Sequence, residues 1–129
     1  KDTLKIANHN AKKLKADIKF HQGDLLEPLT DKDNLSRGTA ILANLPYVPD
    51  SHKINQAAMQ EPRVAIFGGD DGLDLYRQMF AQISRLVTKP TLVFTESLPF
   101  QHEYLELVAR SSGYKMYESQ DLIQVFEIF

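Results

Sequence analysis

The chain has 129 residues, 43% hydrophobic and 25% charged, which fits one packed domain and argues against disorder. Lysine and arginine number 15 against 17 acidic residues, a formal charge of −2, which removes the electrostatic warrant for a broadly basic nucleic-acid binder. With no cysteine, and with His9, His21, His52 and His102 scattered outside any ligand spacing, disulfide scaffolds, thiolate chemistry and a metal site are not expected.

Residues 3–15 read as a helix, with Leu4, Ala7, Ala11 and Leu14 recurring along one face at a period near 3.6. Asp2 or Thr3 is placed to cap it, and Lys12, Lys13 and Lys15 suit its negative end,. Residues 18–22 alternate Ile18 and Phe20 with Lys19 and His21, the pattern of a short strand that ends at Gln22-Gly23-Asp24,. Residues 30–38 are polar and read as a loop. Thr39–Ala43 is a continuous apolar run, expected as a strand covered on both faces. Residues 44–62 hold three prolines and little periodicity, so an irregular loop is expected there.

Gly68-Gly69-Asp70-Asp71-Gly72 is turn chemistry,. The following helix carries Leu73, Tyr76, Phe80, Ile83 and Val87 on one face, and Pro90 follows its end. Thr91–Glu96 is a second buried-type strand. Pro99 then opens a helix whose apolar side is Tyr104, Leu105, Val108 and Ala109, with Gly113 suited to its C-terminal cap,. Tyr114–Glu118 and Leu122–Phe129 complete the chain as two β-segments, expected to be antiparallel, with Tyr114 and Tyr117 packing within the sheet. Alternation of this kind points to an open α/β sheet. A right-handed βαβ unit would place a strand before the first helix, so an N-terminal portion of the core is expected to be missing. No apolar run approaches the roughly 20 residues of a membrane span, and a cytoplasmic location is the default expectation.

The most informative stretch is Asn44-Leu45-Pro46-Tyr47, directly after the apolar run. Ligands of open α/β sheets bind outside the carboxyl ends of the strands. Pro46 and Pro49 stiffen the turn, and Tyr47 offers a flat ring on which a planar group can lie. The Asn44 side-chain oxygen and the Leu45 carbonyl can each accept one N–H of a planar amine or amide. That arrangement suits methyl transfer to a weakly nucleophilic nitrogen from a sulfonium donor. An ordinary strand-ending turn would use the same residue types.

The segment resembles the Asn-Pro-Pro-Tyr motif of class I methyltransferases. The chain as a whole is similar to the HemK-type release-factor glutamine methyltransferases. The similarity runs from the helix of Asp2–Leu14 into Phe20–Leu26, through Asn44–Pro49, and through Glu61-Pro62-Arg63, Gly69–Leu73 and Tyr76-Arg77. Leu45 stands where the family has a proline. Asn-Leu-Pro-Tyr also occurs in rRNA adenine dimethylases, so an adenine-N6 methylase of DNA or rRNA is the alternative.

The resemblance implies an α/β fold. It would be a Rossmann-like class I methyltransferase sheet with an antiparallel C-terminal hairpin, residues 1–129 forming the C-terminal part of the catalytic domain. It implies S-adenosyl-L-methionine as cofactor, with Asp24 accepting from the adenine amine, Leu25 covering the ring, and Asn44 touching cofactor and substrate. It implies Asn44, Leu45, Pro46 and Tyr47 as the catalytic elbow, with Glu61 and Arg63 shaping the substrate loop alongside Asn44, Pro46 and Tyr47. The substrate implied is the Gly-Gly-Gln loop of a peptide chain release factor. For Asp24 a turn carboxylate, and for Glu61 and Arg63 a surface ion pair, are the plain alternatives; Asp70 and Asp71 read as helix-capping residues. The family's glycine-rich cofactor loop has no counterpart here. A further alternative is that the chain by itself is a non-catalytic fragment, expected to bind cofactor weakly or not at all and to self-associate through an exposed sheet edge.

Overall fold

The computed structural model describes residues 2–29, 35, 38–54 and 60–129. Most of the predicted loop 30–38, and residues 55–59 of the loop 44–62, lie outside the described residues. The chain divides into two compact units, Lys1–Asn34 and Leu35–Phe129.

In the first unit, helix α1 spans Asp2–Leu14, close to its predicted bounds. It ends without glycine: Lys15 takes the left-handed conformation, φ +52°. Ala16 N–H then donates to the Ala11 carbonyl at 2.9 Å and Lys15 N–H to Lys12 at 3.2 Å, a Schellman-type closure. The strand expected at 18–22 does not form. Among the described residues the ladders run through the four strands of the second unit, and Ile18 is half exposed. Alternation marks a possible strand, but a ladder makes one.

The second unit carries β1 (Ala40–Ala43), α2 (Asp74–Arg85), β2 (Leu92–Glu96), α3 (His102–Arg110), β3 (Tyr114–Gln120) and β4 (Ile123–Ile128). The sheet order is β1-β2-β4-β3. β1 and β2 are parallel, and β2–β4 and β4–β3 are antiparallel, so the C-terminal hairpin is as expected. One face is buried. Val93 pairs with Phe126 and Thr95 with Gln124 across β2 and β4, and all four are almost fully buried. Tyr76, Met79, Phe80 and Ile83 of α2 and Leu105 and Ala109 of α3 complete the core. The Phe80 ring lies 5.7 Å edge-on from Phe126 and 5.9 Å from Tyr114, favourable aromatic geometries.

Several face assignments shift. β1 was expected to be covered on both faces, yet it is the outer strand and Leu42 is 80% exposed. A continuous apolar run does not say which of its faces meets a neighbour. Val87 lies beyond the end of α2 and is 86% exposed. Tyr104 and Tyr117, expected to pack, are exposed at 63% and 65%. α3 buries the narrower stripe of Leu105 and Ala109. In β3 a bulge between Met116 and Glu118 interrupts the register beside Tyr117,.

Candidate active site

The elbow 44–49 leaves β1 where the two parallel strands part. Their last paired residues are Ala43 and Thr95. The next rung would join Asn44 to Glu96, and the Tyr76 hydroxyl occupies it. This fully buried oxygen lies 2.6 Å from the Glu96 carbonyl and 3.2 Å from the Ala43 carbonyl. It also accepts the Glu96 N–H at 3.2 Å and the Leu45 N–H at 3.4 Å. Those are the four main-chain groups that a parallel rung would have paired directly. Burial, the largest cause, pushes the Tyr76 hydroxyl's pKa up.

Glu96 holds the elbow a second time. Its Oε1 accepts the Tyr47 hydroxyl at 2.6 Å. Burial first, and then this hydrogen bond to a carboxylate, raise the Tyr47 pKa far above that of a free phenol, so the hydroxyl remains a donor and the ring is fixed at both ends. The exit of the elbow is pinned by main chain. Val48 forms a parallel bridge with Phe67: Val48 N–H donates to Ile66 and Gly68 N–H to Val48, each at 3.0 Å, and Asp50 N–H donates to Gly69 at 2.9 Å. A Cβ on Gly68 would stand 2.3 Å from the Pro46 carbonyl, and one on Gly72, at φ +80°, 2.0 Å from the Tyr47 carbonyl. These glycines let the turn 68–72 close against the elbow. The buried Gln101 carboxamide completes the clamp. Its Nε2 donates to the Tyr47 carbonyl at 2.8 Å and to the Asp71 carbonyl at 2.6 Å, and its Oε1 accepts Leu98 N–H at 2.8 Å.

Within this frame Asn44 is exposed, and its carboxamide makes no hydrogen bond to any described residue. Leu45, Pro46 and Tyr47 are half-buried. Glu61 and Arg63 form no ion pair with each other. The Arg63 guanidinium lies 4.2 Å over the Phe67 ring, a cation–π contact. Both residues line a cleft of about 450 Å³ with Asp50, His52, Lys53 and Phe67. The structure thus brings Glu61 and Arg63 to the segment that leads into Phe67, whose isolated bridge to Val48 pins the elbow's exit. Asp24 and Leu25 belong to the first unit. Asp24 is exposed and its carbonyl accepts Glu27 N–H at 3.0 Å, while Leu25 is left-handed at φ +48°.

Asp71 caps differently from the expectation. Its carboxylate accepts the N–H of Leu73 at 3.0 Å, one residue before α2 begins. The helix's own N-cap, Leu73, makes no side-chain cap bond. Arg77 grips Asp71 and reaches Asp74 at 3.0 Å, and this pairing holds the Asp71 carboxyl below its ordinary pKa. Among the described residues no group of three metal-ligating side chains gathers, and no helix is long and apolar enough to cross a membrane.

Three residues of the site were not singled out from sequence. Tyr76 stands in the sequence on an apolar helix face and within the family-like pair Tyr76-Arg77, with no role at the site assigned; the signal is a lone hydroxyl among Leu73, Phe80 and Ile83. Glu96 ends an apolar strand as Asn44 does, so the rule that located Asn44 would have found it. For Gln101 no local signal exists, since all its partners except Leu98 are distant in sequence.

The chain is 31% identical over 98 residues to a release factor glutamine methyltransferase of Bacillus anthracis, covering 74% of this chain and 34% of that protein. It is 35% identical over 117 residues to one of Moorella thermoacetica, covering 85% of this chain and 39% of that protein. The chain is homologous to one part of the release factor glutamine methyltransferases. It spans about a third of the length of these curated relatives. A ribosomal protein uL3 glutamine methyltransferase of Francisella tularensis is 29% identical over 110 residues, covering 82% of this chain and 34% of that protein. No family model matches. Among solved structures, the E. cuniculi Mtq2–Trm112 complex, described as responsible for methylation of the eRF1 termination factor, superposes with a TM-score of 0.52. It covers 92% of this chain and 66% of that one at 14% identity, and so shows a shared fold, in line with the α/β class read from sequence.

Proposed function

We propose that the protein containing this chain methylates the side-chain amide nitrogen of a protein glutamine, and that residues 1–129 form the C-terminal part of its catalytic domain. One observation carries the reading. Asn44 stands at a strand end with an exposed carboxamide, on an elbow whose main chain is pinned from behind.

An amide nitrogen is a weak nucleophile because its lone pair is delocalised into the carbonyl. The Asn44 side-chain oxygen and the Leu45 carbonyl are the acceptors for its two N–H groups. They orient the nitrogen and stabilise the positive charge that grows on it. The Tyr47 ring, held by Glu96, is the platform for the planar amide. S-adenosylmethionine, when bound, supplies a methyl carbon activated by its sulfonium. On this chain Asp24, an exposed carboxylate, fits the acceptor for an adenine amine, and Leu25 fits the ring cover. Gly23 serves a local turn, since a Cβ there would stand 2.1 Å from the Pro28 ring. The residues present therefore fit the adenine end of the cofactor and leave its methionine end to other parts of the protein.

The substrate we assign is the Gly-Gly-Gln loop of a peptide chain release factor. The names of the Bacillus anthracis and Moorella thermoacetica relatives support it. The test is incubation of the full-length protein with methyl-labelled cofactor and, separately, a release factor, DNA and rRNA. Label on the release-factor glutamine is the expected result. Label on adenine with none on protein overturns it.

A further inference from the structure

The rung that β1 and β2 lack is filled by a single side-chain atom, and this points to a role for a residue outside the elbow. Two parallel strands in register through Ala43 and Thr95 would pair Asn44 with Glu96 next. The Glu96 N–H and carbonyl would meet the Ala43 carbonyl and the Leu45 N–H directly. All four groups instead converge on the Tyr76 hydroxyl, which accepts the Glu96 and Leu45 N–H groups at 3.2 and 3.4 Å and directs its one proton to the Glu96 carbonyl at 2.6 Å, with the Ala43 carbonyl at 3.2 Å beside it. One donor proton and the oxygen's lone pairs take over bonds that would otherwise close the sheet.

We infer that Tyr76 is a positioning residue for methyl transfer: its hydroxyl, inserted as a wedge between the parting strands, holds Asn44 out of the ladder and fixes the peptide that leads into the Leu45 carbonyl. This deepens the glutamine-methyltransferase reading and rests on it. The wedge also governs Tyr47. Glu96, whose main chain is held on both its N–H and its carbonyl by Tyr76, is the residue whose carboxylate holds the Tyr47 hydroxyl. The entrance of the elbow and its stacking ring are therefore set by the same oxygen. Tyr76 is fully buried and touches neither the Asn44 carboxamide nor any site open to substrate, so it acts through the residues that do.

The test is Tyr76→Phe in the full-length protein, which removes the oxygen and keeps the ring in the core. Steady-state methylation of a protein glutamine is expected to show kcat lowered roughly 10–100-fold, with KM for cofactor and for protein substrate each changed less than about threefold, the pattern of a lost transition-state interaction. Ile83→Val, another buried position of α2, reports the effect of general destabilisation and is expected to keep kcat. Amide hydrogen exchange reads the rung without reference to activity. Exchange at Leu45 and Glu96 is expected to accelerate by about tenfold or more, while Phe94, two residues back on β2, stays protected. A kcat within about threefold of the parent, a loss that Ile83→Val reproduces, or unchanged exchange at Leu45 and Glu96 overturns the inference. A parent protein that methylates no glutamine overturns the proposed reaction instead, and the exchange measurement still decides whether the hydroxyl holds the rung.

Discussion

Substituting Gly72 by alanine tests whether the turn 68–72 buttresses the elbow. Two costs arise. Gly72 sits at φ +80°, where an L-residue loses about 1–2 kcal/mol. Its new Cβ would also stand 2.0 Å from the Tyr47 carbonyl oxygen and 2.5 Å from Gln101 Nε2, far inside van der Waals contact. Either the elbow or the turn must retreat, and forced displacements of this kind cost about 1–3 kcal/mol. Gly113 supplies the comparison. It has φ +90°, and a Cβ there meets only Lys89 Nζ, at 3.8 Å. Gly113→Ala therefore carries the backbone cost alone, about 1–2 kcal/mol, and Gly72→Ala is expected to lose about 2–5 kcal/mol. Urea unfolding followed by circular dichroism reads the difference, because slopes of about 1–3 kcal/mol per molar turn it into a clear separation of midpoints. Gly113→Ala should retain methyl transfer and Gly72→Ala should lose it. Equal midpoints for the two variants would refute the claim that the turn and elbow are in steric contact.

Gln101→Leu strands the Tyr47 and Asp71 carbonyls and the Leu98 N–H, and is expected to cost about 2–4 kcal/mol in urea unfolding; a loss below about 1 kcal/mol would contradict the clamp. Burial pushes the Tyr114 hydroxyl up to about 12, and Tyr47 and Tyr76 are raised as well. Their folded pKa values lie above the unfolded one, so the stability they contribute is complete below about pH 10 and is lost as pH rises through the folded values. In a 295 nm titration, the absorbance step lost on Tyr114→Phe should lie near 12; a step near pH 10 would show the ring to be solvated. Asp71, lowered chiefly by its hydrogen bond with Arg77, has the opposite sign: its contribution is present above about pH 4 and is lost as pH falls. Both partners are about half exposed, so Asp71→Asn should flatten the acid limb of stability by less than about 1 kcal/mol, and less still at high salt.

Much of the architecture was legible because it is written in local patterns. The helical periodicity of residues 74–85, the apolar run that became β1, and Gly113 closing α3 are short-range signals, and each falls within a residue or two of its predicted place. Asn44 was legible for a related reason. A polar side chain ending an apolar strand, followed by Pro46 and Pro49, is unusual enough to mark a site without any tertiary information. What misled was pattern without a partner. Ile18 and Phe20 alternate like a strand and no ladder takes them. Tyr104 and Tyr117 look like core residues and are exposed, because side-chain size does not say where the neighbouring element lies.

By itself the sequence determined the class of fold, the antiparallel hairpin that ends it, and the tetrapeptide with two acceptors and a flat ring. Those depend on residue type and on spacings shorter than a turn or a strand. Only the tertiary structure decided how the elbow is held. Tyr76 lies 31 residues from Leu45 and Gln101 54 residues from Tyr47, and their partners are main-chain groups, which every residue carries alike. A hydrogen bond to a backbone leaves no mark on the identity of the residue that receives it, so the anchors of this site come into view only when the chain has folded back on itself.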